Sequence, residues 1–389
     1  MPRRPQAADR RGTVPDLLFL LHDEVLRLEH ASGLTTLAVT GRGPDEAAAA
    51  ADLTARLAAW RERLTADPGR GHSGDRGSAC ADAGEPGAAG TACTDAPVDL
   101  SGLTTSCDEP AYRNCVDRCR EHILQGDAFE ICLTRQLSAA TAVDPWELYT
   151  ALRRLNPAPF AAFLRLDGVP GLGHVAVAGA SPERFLRCTA DGHLESRPIK
   201  GTRPRGATPA ADAALRADLA AAAKDNAENT MIVDLVRSDL GRVARIGSVD
   251  VPELRVVESY ATVHQLVSTV TARLKPGCDA LDAVRACFPG GSMTGAPKLE
   301  AMAIIEELEP EPRGIYAGAL GWLGWDGALD LSIVIRTFVC SEGRVSFGTG
   351  GAVTADSDAH AEYRESLDKA RALVAALRAA APRPGKDHA

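Results

Sequence analysis

Asp326-Gly327-Ala328-Leu329-Asp330-Leu331-Ser332-Ile333-Val334-Ile335-Arg336-Thr337-Phe338-Val339-Cys340-Ser341-Glu342-Gly343 carries the reading of the fold. Residues 329–339 have the apolar content and alternation of a strand, bounded by Asp-Gly and Glu-Gly, pairs that favour hairpin turns. Strands joined by such turns run antiparallel. Working outward, 128–137, 160–166 and 175–180 read as further strands, while helical periodicity marks about 209–238, 279–286, 297–308 and 358–380. Helices and hairpins come in blocks, without the strict strand–helix alternation of a dinucleotide-binding fold, so the class is α+β.

Upstream, residues 24–39 read as a strand pair turning at Ala31-Ser32-Gly33, followed by an alanine-rich helix over 44–64. From residue 66 the composition shifts to Gly, Ala, Asp, Pro and Ser, with almost no large apolar side chain to offset ordering entropy. The expected organisation is a short segment 1–65 packing on the core, a flexible linker 66–107, a catalytic domain 108–380 and a polar tail 381–389. Of the 389 residues, 43 are Lys or Arg and 52 Asp or Glu, a net charge of −9. That balance gives no general attraction to nucleic acid or to an anionic membrane surface. No apolar run approaches the roughly 20 residues that span a bilayer. Ten scattered cysteines without a CxxC pair, and no visible export signal, suit reduced thiols in the cytoplasm.

Several residues stand in settings that chemistry uses. Lys200, in Arg197-Pro198-Ile199-Lys200-Gly201-Thr202, sits where Pro and Gly fix the backbone path. Desolvated among apolar neighbours, such an amine loses its proton readily and becomes a nucleophile or base; the plainer alternative is a surface lysine at a strand end. Glu183, in Ser181-Pro182-Glu183-Arg184, ends an apolar run and would share proton transfer with Lys200 if the two meet, or else pair with Arg184. Glu228 aligns with Met231, Ile232 and Leu235 on the apolar side of its helix. A carboxylate there needs a metal or a cation, and Lys224 four residues back is the simplest candidate. Glu362 and Glu365 repeat the problem, with Lys369 as the simple partner of Glu365. Oxygen ligands from Glu228 and Glu365 would suit Mg²⁺, which keeps several waters and completes its shell with anionic substrate groups.

Two glycine-rich turns, Pro289-Gly290-Gly291-Ser292-Met293-Thr294-Gly295-Ala296-Pro297-Lys298 and Gly348-Thr349-Gly350-Gly351-Ala352, can offer backbone N–H groups to an anion. The first lacks the Gly-Lys-Ser/Thr of a nucleotide phosphate loop. Arg336 ends its apolar run and would fork onto a carboxylate, of a ligand or of a structural salt bridge. A small polyanionic acid held by Mg²⁺ would use such a set.

These residues lie within an ordered series: GDAFEICLTRQ at 126–136, SPERFL at 181–186, RPIKGTRPRG at 197–206, ENTMIVDLVRSDLGRV at 228–243, FPGGSMTGAPK at 288–298 and GTGGAVTADS…AEYRES at 348–366. The series resembles the chorismate-utilising enzymes, and within them the aminodeoxychorismate synthase component I branch of para-aminobenzoate and folate synthesis. The resemblance implies an α/β/β/α sandwich of two orthogonally packed sheets flanked by helices, with the site in the cleft between them. It implies that Glu228 and Glu365 bind Mg²⁺, supported by Glu362, and that the ion holds the ring carboxylate of chorismate. Arg336 with Gly350, Gly351 and Ala352 would take the enolpyruvyl carboxylate, His264 would stand near the leaving C4 hydroxyl, and Thr294 would line the cleft.

Lys200 in PIKGT marks the aminating branch, since anthranilate synthase component I usually carries alanine there. The implied reaction is attack of Lys200 on C2 with loss of the C4 hydroxyl, Glu183 serving as acid and base, then displacement of the lysine by ammonia entering at C4. With no Cys-His-Glu glutaminase segment in the sequence, ammonia is expected from a separate glutamine amidotransferase subunit. The alternatives are an anthranilate synthase component I or an inactive homologue serving as a binding subunit. One departure from the family pattern is Phe129-Glu130-Ile131-Cys132 where relatives carry Tyr-Gln-Val-Asn.

Overall fold

The computed structural model describes residues 15–65, 98–169 and 172–381. The chain separates into two units, residues 17–87 and the remainder. In the smaller unit, β1 (Glu24–Glu29) pairs antiparallel with β2 (Leu34–Val39), and α1 (Glu46–Thr65) follows. Gly33, at φ +69°, makes the turn between the strands, and Trp60 of α1 donates its indole N–H to Glu24 at 3.0 Å. These elements match the expected hairpin and helix.

The larger unit opens with β3 (Thr104–Thr105), α2 (Glu109–Gln125), β4 (Glu130–Ala140), α3 (Pro145–Leu155), β5 (Phe160–Arg165) and β6 (Val175–Ser181). It continues through β7 (Arg184–Cys188), β8 (His193–Arg197), β9 (Ile199–Pro204), α4 (Pro209–Ala221), α5 (Ala223–Gly241), β10 (Asp250–Ser259) and β11 (Val263–Arg273). The remaining elements are α6 (Ala280–Cys287), β12 (Gly295–Ala296), α7 (Lys298–Leu308), β13 (Ala319–Leu323), β14 (Leu329–Ile333), β15 (Thr337–Ser341), β16 (Arg344–Val353) and α8 (Ala359–Ala380). Asp108 and Asp144 cap α2 and α3 through their side chains, each with proline just inside the helix start, and Asp279 and Asp282 form a capping box on α6.

Two seven-stranded antiparallel sheets result. One runs β12-β4-β16-β15-β6-β5 with β3 also on β4; the other runs β10-β11-β8-β7-β14-β13 with β9 also on β11. Helices α2, α3, α7 and α8 pack on the first sheet, and α4, α5 and α6 on the second. The fold is therefore α+β, as expected. Its core is built from Leu137, Phe338 and Phe347 under α3 and α8, and from Leu186, Leu194 and Val270 under α5 and α6. Each fully buried side chain of this size contributes about 1.5–3 kcal/mol relative to exposure.

Three expectations need correction. The run 329–339 is two strands, because β14 pairs with β7 and β13 in one sheet while β15 pairs with β6 and β16 in the other. The helix over 209–238 is likewise two, broken at Ala222, whose φ and ψ of −64° and 105° are extended. Residues 98–107 belong to the larger unit, not to a linker: Val98, Leu100 and Leu103 pack on the core, and β3 pairs with β4. The rest of the expected linker and the tail 382–389 lie outside the described residues. No described helix is long and apolar enough to cross a membrane.

Candidate active site

The chain crosses between the sheets twice at one place. β6 hands over to β7 through Pro182-Glu183, and β14 hands over to β15 through Val334-Ile335-Arg336. Backbone hydrogen bonds tie the crossings together: Ile333 N–H donates to the Glu183 carbonyl at 3.0 Å, and Ala180 N–H to the Arg336 carbonyl at 3.1 Å. Arg336 takes φ +49°, a left-handed conformation that costs a non-glycine residue about 1–3 kcal/mol. That turn ends one strand and starts the next in the other sheet.

Glu183 is buried, beside a pocket lined by Phe185, Pro198, Ile232, Gly290 and Ile333. Burial, its largest influence, pushes its carboxyl up to about 7, against hydrogen bonds from Ser292 and the Ile199 backbone and the nearby charge of Lys200. It does not pair with Arg184, which instead binds Glu195 at 2.6 Å and Asp330 at 3.0 Å. A neutral-pH proton donor and acceptor is what this environment makes of a glutamate.

Arg336 forms no structural salt bridge. Its Nη1 donates to Asn156 Oδ1 at 3.3 Å, and among the described residues no carboxylate lies within ion-pairing distance. Burial weakens the guanidinium's hold on its proton, partly offset by Glu183. A half-buried cation without a carboxylate has spare capacity for an anionic ligand.

Lys200 is not a surface lysine, being only 9% exposed. A register slip between β9 and β11 at Gln265 and Val267, with Gly201 at φ +85°, forms a bulge beside it. Such bulges re-aim side chains, and here Lys200 meets Glu130 of the opposite sheet at 2.6 Å. The expected loss of its proton is not found. Burial does push the ammonium toward neutrality, but Glu130 and the charge of Glu228 outweigh it and raise its affinity for the proton above that of an ordinary lysine.

Glu228, Glu362 and Glu365 converge on one ammonium, that of Lys224, at 3.6, 2.6 and 3.9 Å. Glu365 also takes Lys369 at 2.7 Å, so the simple partners of these acids are all present. Among the described residues no three acids stand ready to hold a metal as they are. The donor set nonetheless fits Mg²⁺: it is all oxygen, Glu362 keeps one buried oxygen without a partner, and a Cβ at Gly351 would press within 3.1 Å of Glu362 and 3.3 Å of Glu365. Gly350 and Ala352 lie on β16 opposite Thr134 and Cys132 of β4.

Two expected residues are occupied elsewhere. His264 is buried with one ring nitrogen on Ser259 at 2.8 Å and the other on Asp212 of α4 at 3.0 Å. Thr294 turns its hydroxyl to the Gly290 and Gly291 carbonyls, while its own carbonyl accepts from Cys132 N–H at 2.9 Å. Glu130 and Asn156 are the residues to which sequence reasoning gave no role, whereas the expected Lys224–Glu228 pair is present. For Glu130 a signal existed, since a lone acid inside the apolar stretch Phe129-Glu130-Ile131-Cys132-Leu133 must be paired if it points inward.

Lys200 lies within electrostatic reach of Glu183, Glu228 and Glu365, and Arg336 within that of Glu183; such a set of acids, lysine and arginine can grip a small carboxylic acid. The chain belongs to the chorismate-binding enzymes, whose family pattern matches residues 2–375. It is 48% identical over 383 residues to an aminodeoxychorismate synthase of Streptomyces griseus, covering 98% of this chain and 49% of that one. It is 48% identical over 250 residues to aminodeoxychorismate synthase component 1 of Salmonella typhimurium, covering 64% of this chain and 53% of that one. The chain thus spans about half the length of these relatives. To anthranilate synthase component 1 of Streptomyces coelicolor the identity is 41%, over 97% of this chain and 70% of that one. Among solved structures, anthranilate synthase component I of Streptococcus pneumoniae superposes with a TM-score of 0.72 at 28% identity, covering 91% of this chain and 72% of that one.

Proposed function

We propose that this chain is the chorismate-aminating component of an aminodeoxychorismate synthase. The observation that carries the reading is Lys200, buried and within the electrostatic reach of Glu183, in a family where a lysine at this place distinguishes amination from anthranilate formation.

In the proposed reaction Glu183, protonated, gives its proton to the departing C4 hydroxyl, which leaves as water. Lys200, an ammonium paired with Glu130 at rest, first passes one proton to solvent; the amine then forms a bond to C2 as both ring double bonds shift toward C4. Ammonia then bonds to C4, the double bonds shift back, and the bond from C2 to the lysine breaks. The ammonium formed at C4 gives up one proton, and Glu183 is reprotonated for the next cycle. Chorismate and ammonia thus become 4-amino-4-deoxychorismate and water, with the enolpyruvyl group kept.

Arg336 would hold the enolpyruvyl carboxylate, with the Gly350, Gly351 and Ala352 backbone beside it. Glu228, Glu362 and Glu365 would hold Mg²⁺, which supplies positive charge for the ring carboxylate. Ammonia would come from a glutamine amidotransferase, and the unpaired state of the eight described cysteines suits a cytoplasmic setting. The test is to incubate the chain with chorismate, Mg²⁺ and an ammonium salt and identify products by mass. Aminodeoxychorismate without pyruvate supports the reading; anthranilate with pyruvate, or no conversion, rejects it.

A further inference from the structure

Resting on that reading, we propose that Glu130 is a positioning residue for Lys200, anchoring its amine in the cleft as an ion pair and setting the pH above which it can act as a nucleophile.

The two side chains approach from different sheets, Glu130 from β4 and Lys200 from β9, and meet at 2.6 Å with exposures of 0% and 9%. Glu130 cannot easily withdraw. Its backbone is paired with Ala296 of β12 on one side, and its neighbour Ile131 with Val353 of β16 on the other. Its second carboxylate oxygen is buried and has no partner, so the charge is turned wholly toward the lysine. Other groups bear on Lys200 from further away: Cys132 on β4, Glu228 on α5, Glu183 at the sheet crossing and Glu365 on α8. Among the described residues Glu130 alone is within ion-pairing distance of Nζ.

An amide at position 130 would hold the amine by a hydrogen bond without favouring its charge. A carboxylate there holds it and also resists deprotonation, because removing the proton leaves an uncompensated buried anion. The acid in place of the amide therefore shifts the working range of the nucleophile to higher pH.

The test is the pH dependence of Lys200 labelling by reductive methylation with formaldehyde, read by peptide mass spectrometry on the full chain, in wild type, Glu130→Gln and Glu130→Asp. Circular dichroism checks that each is folded. In Glu130→Gln the labelling midpoint should fall by at least one pH unit, about a tenfold gain in reactivity at a fixed pH below it. Glu130→Asp, which keeps the charge, should stay near wild type. At a fixed pH below the labelling midpoint, amination by Glu130→Gln should quicken in step with labelling. Equal midpoints in wild type and Glu130→Gln would overturn the proposal, as would a fall in Glu130→Asp as large as in Glu130→Gln. Labelling does not depend on the product formed, so a failure of the amination reading is seen separately, in the product analysis.

Discussion

Glu183 and Arg336 occupy the two adjacent points at which the chain passes from one sheet to the other, and the backbone hydrogen bonds between those crossings fix their relation. The proposed proton-transfer group and the proposed anion-binding group are thus held by the same architectural feature. The site is as rigid as the junction of the two sheets.

Replacing Arg336 tests its role on the ligand. Arg336→Lys keeps a charge but loses the planar fork, so KM for chorismate should rise about 10–100-fold, the worth of one or two charge-assisted hydrogen bonds. Steady-state kinetics should show kcat changed far less. An unchanged KM would remove Arg336 from substrate binding.

Glu183 must be protonated to expel the hydroxyl, and its carboxyl sits near 7. At a constant concentration of free ammonia, kcat should rise with pH up to about 7 and level off above it, because loss of the Glu183 proton then offsets the growing share of neutral Lys200, and Glu183→Gln should lower kcat about 10²–10⁴-fold. The sign for stability follows from the same shift. A carboxyl raised above its ordinary value stabilises the fold fully below about 4.5, and that contribution is lost as pH rises through about 7. Glu183→Gln should therefore melt higher than wild type at pH 8, and a lower melting temperature there would contradict the assignment.

Lys224 occupies the space among three carboxylates that a divalent ion would share. Lys224→Met removes the competing charge, so calorimetric titration should show Mg²⁺ binding tighter by about tenfold, or ~1.4 kcal/mol. Weaker binding would mean that Lys224 helps hold the site in shape instead of competing for it.

Lys200→Ala alone would leave Glu130 buried without its cation, a loss of about 3–5 kcal/mol. Chemical denaturation should show that loss, and Glu130→Gln in the same chain should restore most of it. Activity lost in both the single and the double variant then reports chemistry and not folding.

Much of this was legible beforehand. The hairpin of β1 and β2 and the burial of Glu228 on the apolar side of α5 follow from local pattern, whereas the spacing around Lys200 pointed as readily to a surface lysine at a strand end. The division of 329–339 was not legible, because alternation records which face a residue takes and not which sheet it joins. The Lys200–Glu130 pair was hidden for a related reason: 70 residues and a change of sheet separate its members. His264 looked available because sequence does not show that Ser259 and Asp212 take both ring nitrogens.

The covalent role of Lys200 is tested most directly by incubating the chain with chorismate and Mg²⁺ without ammonia, then weighing the intact protein and its peptides. The expected result is a mass gain equal to chorismate minus water on the peptide bearing Lys200, discharged when ammonium is added and absent from the Lys200→Ala, Glu130→Gln double variant. Amination by that double variant at the wild-type rate, or an adduct on any other residue, would contradict the account.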